Sequence, residues 1–365
     1  MLTQEMAKEI VEQTMIRLNR NINIMDETGT IIASGNPNRI NQIHFGALEV
    51  LRSGQPLIIN DSNLHEWNGA HPGINLPIQF QNLIIGVIGI TGDSNEVREF
   101  GELVKMITEM MIHQSFIAAQ LEWRQRLKEQ VFEDLLKDRD NIDTIKQRLN
   151  LLGIDIEDPY QVGLVELGIN QLKNTEIIQI FEDTFVEKQA LIGFSNANRV
   201  FILTSNMPET RFMQKLAAAS KQLNSKNISV RIGIGSIASD QTCIRHSYQE
   251  SLNALLLGSN EQMITTYAEI EMKALLVHLD ERAKRQFSSR VLGNLSEKLI
   301  ETIEHFFAAN LNIGECATKM YIHRNSLVYR IKKIKELTGY NPQLVSDAIT
   351  LQLAVWIDRM SEKQD

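Results

Sequence analysis

Four consecutive residues near the C-terminus, His323, Arg324, Asn325 and Ser326, bring imidazole, guanidinium, amide and hydroxyl groups together. At the first turn of a helix such a set can read base edges, because arginine pairs bidentately with guanine and asparagine with adenine in the major groove. Lys332, Lys333 and Lys335 follow two to three turns later, where a cation meets phosphate and orients without specifying sequence. From Gly314 to Tyr340 six Lys/Arg stand against two Asp/Glu, a local net of +4 in a chain of net −8. That reversal of sign is the footprint of a phosphate-binding surface. A solvated basic face on an ordinary amphipathic helix would show the same charge.

A second constellation lies in the loop that begins at Ser34 and ends at Ala47. Arg39 offers a planar fork of donors suited to a carboxylate. His44, just before or within the first turn of a helix, can donate as well, and the backbone amides of Phe45, Gly46 and Ala47 form a helix start that attracts anions. Asn75, in His71-Pro72-Gly73-Ile74-Asn75, can add amide contacts. Together these groups suit a small organic acid. Taken singly, Arg39 is also what a surface loop carries, His44 what caps a helix and Asn75 what forms a turn.

Enzymatic motifs are scarce. The eight histidines show no His-Glu-x-x-His spacing, and neither a Gly-x-Ser-x-Gly elbow nor a phosphate-binding loop occurs. Gly233 to Ala238 formally fits Gly-x-Gly-x-x-Ala, but deep in the chain it reads as a strand-end turn. Cys243 and Cys316 have no zinc or redox spacing and suit small buried residues of a reducing compartment. No catalytic residue, metal or cofactor is expected. A metabolic binding or phosphate-handling enzyme with structural C-terminal helices stays open as the alternative.

These groups need elements to hold them. At 365 residues the chain exceeds one core and fits two or three domains. An amphipathic N-terminal helix, a hairpin of Ile22–Asp26 and Thr30–Ser34 turning at Asp26-Glu27-Thr28-Gly29, a helix from about His44 to Arg52, and short strands within residues 56–60, 75–80 and 83–90 give the first third. A helix from about Asn95 to Lys137 carries Leu103, Met106, Met110, Ile117 and Leu121 at mixed helical spacings, enough to pair with a second copy and to carry a signal. Residues 141–272 alternate strands with helices around 175–188, 210–224 and 242–257. A small helical domain, roughly 284–360, then sets Ile313, Ala317 and Met320 on one helix and Leu327, Ile331 and Ile334 inward on the next, stopped by Gly339. No apolar run reaches membrane length, the longest being Leu83–Ile90, so a soluble, cytoplasmic protein is expected.

Four resemblances build on these residues. The run Ile322 to Ile331, reading Ile-His-Arg-Asn-Ser-Leu-x-Tyr-Arg-Ile ahead of Leu337-Thr338-Gly339, resembles the helix-turn-helix of the purine-catabolism-regulator type, and adds Tyr329 and Arg330 to the expected DNA-facing set. Residues 21–41, His44–Ala47, Pro72–Pro77 and 83–106 resemble the sugar-diacid recognition domain of the carbohydrate diacid regulators, transcription factors that answer to glycerate, glucarate, galactarate or glycolate. The strand order of that part resembles a PAS-like sensory sheet. The middle region resembles a degenerate GGDEF-like domain, whose signature hairpin reads Asn196-Ala197-Asn198-Arg199 here; without acids there is no metal pair, and cyclase activity is rejected. The resemblance implies an α+β multidomain chain: a recognition domain with its signalling helix (1–137), a non-catalytic GGDEF-like domain (138–275) and an all-α DNA-binding domain (284–360). Operator DNA, a small organic acid and a second copy are its expected partners.

Overall fold

The computed structural model describes residues 2–18, 20–137, 142–185, 189–259 and 262–362. Two compact units divide between Arg126 and Leu127, inside one long helix.

The first unit is built on an antiparallel sheet. Helix α1 (Gln4–Leu18) precedes β1 (Ile22–Met25) and β2 (Ile31–Ser34); α2 (Phe45–Ser53), β3 (Leu57–Ile59), β4 (Gly73–Phe80) and β5 (Leu83–Thr91) follow, and α3 (Ser94–Leu136) closes it. The strand order is β2-β1-β5-β4-β3. The hairpin turns where Asp26 Oδ1 accepts the N–H groups of Thr28 and Thr30 at 2.9 and 3.0 Å, with Gly29 at φ +76°. Strand alternation then sorts the side chains. Ile22 and Ile24, Ile74, Leu76 and Ile78, and Ile88 and Ile90 pack on one face with Ala7, Ile10 and Val11 of α1 and Val97, Val104 and Ile112 of α3. Met25, Ile31 and Val87 meet Ala47 and Val50 of α2 on the other. Each Val, Leu, Ile or Met side chain among these contributes about 1.5–3 kcal/mol when fully buried.

In the second unit α4 (Ile142–Leu152), β6 (Tyr160–Leu167), α5 (Asn174–Thr184), β7 (Ala190–Asn196), β8 (Arg199–Ser205), α6 (Glu209–Ser225), β9 (Val230–Ile234), α7 (Ile244–Leu257), β10 (Ile264–Thr266) and α8 (Tyr267–Val277) form a sheet of order β10-β9-β6-β8-β7 with helices on both faces. The end of the α5 region expected at Lys188 lies outside the described residues. The C-terminal turns of α3 join this core through Phe132, stacked on Phe201 at 3.7 Å between centroids.

Helices α9 (Glu281–Leu292), α10 (Glu297–Ala308), α11 (Ile313–Lys319), α12 (Arg324–Thr338) and α13 (Val345–Glu362) complete the chain. Asn312 caps α11 by accepting from Gly314 and Glu315, and Gly339 at φ +79° ends α12. Leu327 and Ile331 pack on Cys316, Ala317 and Phe306, and Ile334 on Leu351, Ala354 and Val355. On α13 the apolar stripe Ile349, Leu353 and Trp356 lines an open cleft with Met272 and Phe307. That helix is apolar on two sides, so spacing alone does not tell which side is core.

Candidate functional site

The groups expected in the first unit converge on the sheet face shared with α2. In register, Ser34 pairs with Asn23, Asn23 with Gly89, and Gly89 with Asn75, a single row crossing β2, β1, β5 and β4. Asn23 and Asn75 are almost wholly buried, and a buried amide requires partners. Ser34 Oγ donates to Asn23 Oδ1 at 2.6 Å and accepts the Asn36 N–H at 3.0 Å. Ser34 therefore orients Asn23 rather than lining the cleft. Gly89 keeps the row open, since a Cβ there would stand 2.8 Å from Asn75 Oδ1. Asn23, Arg39, His44, His71, Asn75 and Thr91 are the polar side chains around a narrow cleft of about 10 Å³, room for about one water molecule, so that a larger ligand would have to seat at its mouth.

Arg39 ends a 3-10 turn, Pro37–Arg39, capped by Asn36. Its Nη2 donates to the Gly69 carbonyl at 3.1 Å, which ties the segment before β4 to the cleft. Burial lowers its pKa, yet a guanidinium keeps its charge at any working pH. His44 is the N-cap of α2: its Nδ1 accepts the Ala47 N–H at 3.2 Å. Burial, then the Arg39 charge, push its pKa down to about 4. At neutral pH it is an uncharged imidazole whose Nε2–H is left to donate. The Ala47 amide, expected to meet an anion, is already taken by His44, and Gly46 and Ala47 lie buried beneath the capping ring; Gly46 has no room for a Cβ beyond 3.1 Å from Ile59 and 3.2 Å from His44. Among the lining residues Arg39 is the one permanent charge, and none is acidic.

Sequence reading missed Asn23, His71, Gly89 and Thr91. The signals were there: a polar residue inside Ile22-Asn23-Ile24-Met25 and a glycine in mid-strand each break an apolar pattern where the backbone must leave room.

The second set lies on α12. His323 is its N-cap, accepting the Asn325 N–H on Nδ1 at 3.2 Å. Arg324, Asn325, Ser326, Tyr329, Lys332 and Lys335 are exposed, and Lys333 half-buried beside Glu336. Arg330 is the exception: half-buried, it donates to Thr302 Oγ1 of α10 at 3.2 Å. It faces the support of α12 and not the surface expected for DNA. Two exposed residues went unnoticed, Val328 on the same face as Asn325 and Lys332, and Tyr321, 96% exposed in the turn before α12.

On the middle sheet Glu166 sits in register between Arg199 and Arg231 and is hydrogen-bonded to both. Burial would raise its pKa, but those two hydrogen bonds outweigh it and hold the carboxylate below its ordinary value. Two guanidinium groups occupy the oxygens that a cation would need. Among the described residues no cluster of three His, Cys, Asp or Glu could hold a metal, and no helix is long and apolar enough to cross a membrane.

Comparison with known proteins agrees with this division. Residues 2–135 match the sugar diacid recognition family, 137–257 the GGDEF-like domain and 299–357 the PucR C-terminal helix-turn-helix domain. The chain is 29% identical to the carbohydrate diacid regulator of Escherichia coli, covering 98% of each chain. It is 26% identical to the uncharacterized protein YsfB of Bacillus subtilis over 96% of each. It is 26% identical to the purine catabolism regulatory protein of Bacillus subtilis over 36% of this chain and 27% of that one. The resemblance read at both ends and in the middle of the chain therefore holds, and two of these three relatives are named as regulators.

Proposed function

We propose that this chain, which carries along its whole length the domain set of the carbohydrate diacid regulators, is a transcriptional regulator whose operator binding answers to a small hydroxy-acid held in the N-terminal cleft. The observation that carries the effector reading is the row Ser34–Asn23–Gly89–Asn75 with Arg39 and His44 above it. One fixed cation and no acid suit a carboxylate. Two amides, a neutral imidazole N–H and Thr91 suit hydroxyl groups.

The charge count also ranks the candidate acids. A glycerate- or glycolate-type monocarboxylate matches the one guanidinium, whereas glucarate or galactarate would bring a second carboxylate that meets no second fixed cation among the lining residues. The sheet order β2-β1-β5-β4-β3 supports a PAS-like sensor, with 1–137, 138–275 and 284–360 as sensor, GGDEF-like and DNA-binding domains. On α12, Arg324, Asn325 and Ser326 would read bases with Tyr329 and Val328 beside them, Lys332 and Lys333 would meet phosphate, and His323 would hold the first turn. A homodimer would present two such helices to a palindrome, in the cytoplasm where operator DNA lies.

The test is operator binding by the full chain, with and without glycerate, glycolate, glucarate and galactarate, across a salt series. Expected are a steep loss of affinity with salt, a shift in affinity with one acid, and a higher melting temperature with that same acid. No response to any acid sinks the effector reading alone; salt-independent binding without sequence preference sinks the regulator reading.

A further inference from the structure

Helix α3 turns two different faces outward from its axis. Val97, Val104 and Ile112 are buried against the first sheet. On another face Phe100, Leu103, Ile107, Met110, Ile117 and Leu121 are between 39% and 58% exposed. Their spacing is three, four, three, seven and four residues, and Gln114, also exposed, divides the seven into four and three. This is an unbroken heptad seam of seven layers, with position a at 100, 107, 114 and 121 and position d at 103, 110 and 117. It runs for roughly 30 Å along the helix.

We propose that a second copy of this chain covers the seam as a parallel, in-register pair of α3 helices. A solvent-facing surface helix places polar residues opposite its buried face; here six of seven seam positions are large and apolar, at the 3.5-residue period that only another helix of the same period can follow. Gln114 fixes the direction. In a parallel pair it meets its own counterpart, and two side-chain amides satisfy each other. In an antiparallel pair, where a positions face d positions, it meets Leu103 or Met110, which buries an amide without a partner. A single polar residue at position a sets register in this way, and the two-fold relation of like to like is that of an isologous dimer. A parallel seam also sends both chains out at the same end, beyond Leu121. The inference goes beyond the effector and DNA readings and depends on neither.

Sedimentation of the full chain at low micromolar concentration tests the seam. The wild type should sediment at twice the chain mass and Ile107→Glu/Ile117→Glu at one chain mass, with unchanged far-ultraviolet circular dichroism because both residues are exposed in the single copy. Trp123→Glu, exposed but off the seam, should stay a dimer. Direction is read by cysteine cross-linking in a Cys243→Ser/Cys316→Ala background that itself sediments as a dimer. Leu103→Cys and Leu121→Cys should each form a disulfide with their own kind on mild oxidation. A monomeric wild type, or a dimer that survives Ile107→Glu/Ile117→Glu, overturns the seam; cross-links found only when the two cysteine variants are mixed overturn the parallel arrangement.

Discussion

His44 Nδ1 accepts the Ala47 N–H at 3.2 Å, so one contact both starts α2 and decides which nitrogen of the ring is left for a ligand. With a pKa of about 4 the ring is neutral wherever the protein works. Burial and the neighbouring guanidinium both disfavour an imidazolium here. Affinity for the acid should then stay flat between about pH 6 and 8 as far as His44 is concerned, measured by calorimetric titration of the full chain against glycerate. A rise in affinity as pH falls through 6.5 that is lost in His44→Asn would contradict the neutral ring.

The same shift makes a stability prediction. A folded pKa below the unfolded value of about 6.5 means that between about pH 6.5 and 4 the unfolded chain takes up a proton the folded one refuses. Stability from this group is fully present above the window and is lost as pH falls through it, up to about 3 kcal/mol for a shift of this size. His44→Asn can keep the cap, since its side-chain oxygen also accepts the Ala47 N–H. Urea unfolding at pH 7 and 4.5 should show a smaller pH-dependent loss for His44→Asn than for the wild type. Equal losses would show that His44 titrates normally.

Arg39 tests the effector directly. Arg39→Ala should remove a charge-assisted contact worth about 1.5–3 kcal/mol, about 10- to 100-fold in affinity. Operator binding without effector should persist. Arg39→Lys should recover only part, because a point-charge ammonium cannot make two parallel hydrogen bonds to one carboxylate. Full affinity in Arg39→Ala would move the site elsewhere.

How much of this was legible in sequence depended on whether a pattern was local. The cap Asn312, the stop at Gly339 and the inward stripe Leu327–Ile331–Ile334 follow from residues within one or two turns, and all are found, whereas His323, read as a first-turn residue, is the N-cap of α12. Of the cleft, Arg39, His44 and Asn75 were named from sequence, whereas Asn23 and Gly89 become neighbours of Asn75 only through the register of three strands. Arg330 shows where local pattern stops: its hydrogen bond to Thr302 depends on where α10 lies, which no spacing within α12 contains.

Gly89 offers the sharpest test of the row. A methyl group there would lie 2.8 Å from Asn75 Oδ1 and 3.5 Å from the Met25 methyl, so the Asn75 amide must turn out of its position. The backbone at Gly89 does not adopt a positive φ, and alanine is tolerated in a strand. Gly89→Ala should thus leave the melting temperature within a few degrees and cost the effector at least about tenfold, ~1.4 kcal/mol. Undiminished affinity in a folded variant would show that the row is not the floor of the site.

The last prediction separates reading from holding on α12. Arg324→Ala or Asn325→Ala should each cost about 1–3 kcal/mol at the operator and flatten discrimination between sites. Lys332→Ala should weaken all DNA alike and reduce the slope of log affinity against log salt by about 1. Arg330→Ala should behave as neither. Losing its 3.2 Å hydrogen bond to Thr302 loosens α12 from α10, so the melting temperature of the C-terminal helices should drop, while the salt slope and the preference among sites stay as they were in the fraction that is folded. Anisotropy titrations at three salt concentrations, beside thermal unfolding of each variant, separate the three behaviours. A salt slope reduced in Arg330→Ala as much as in Lys332→Ala would return Arg330 to the DNA face.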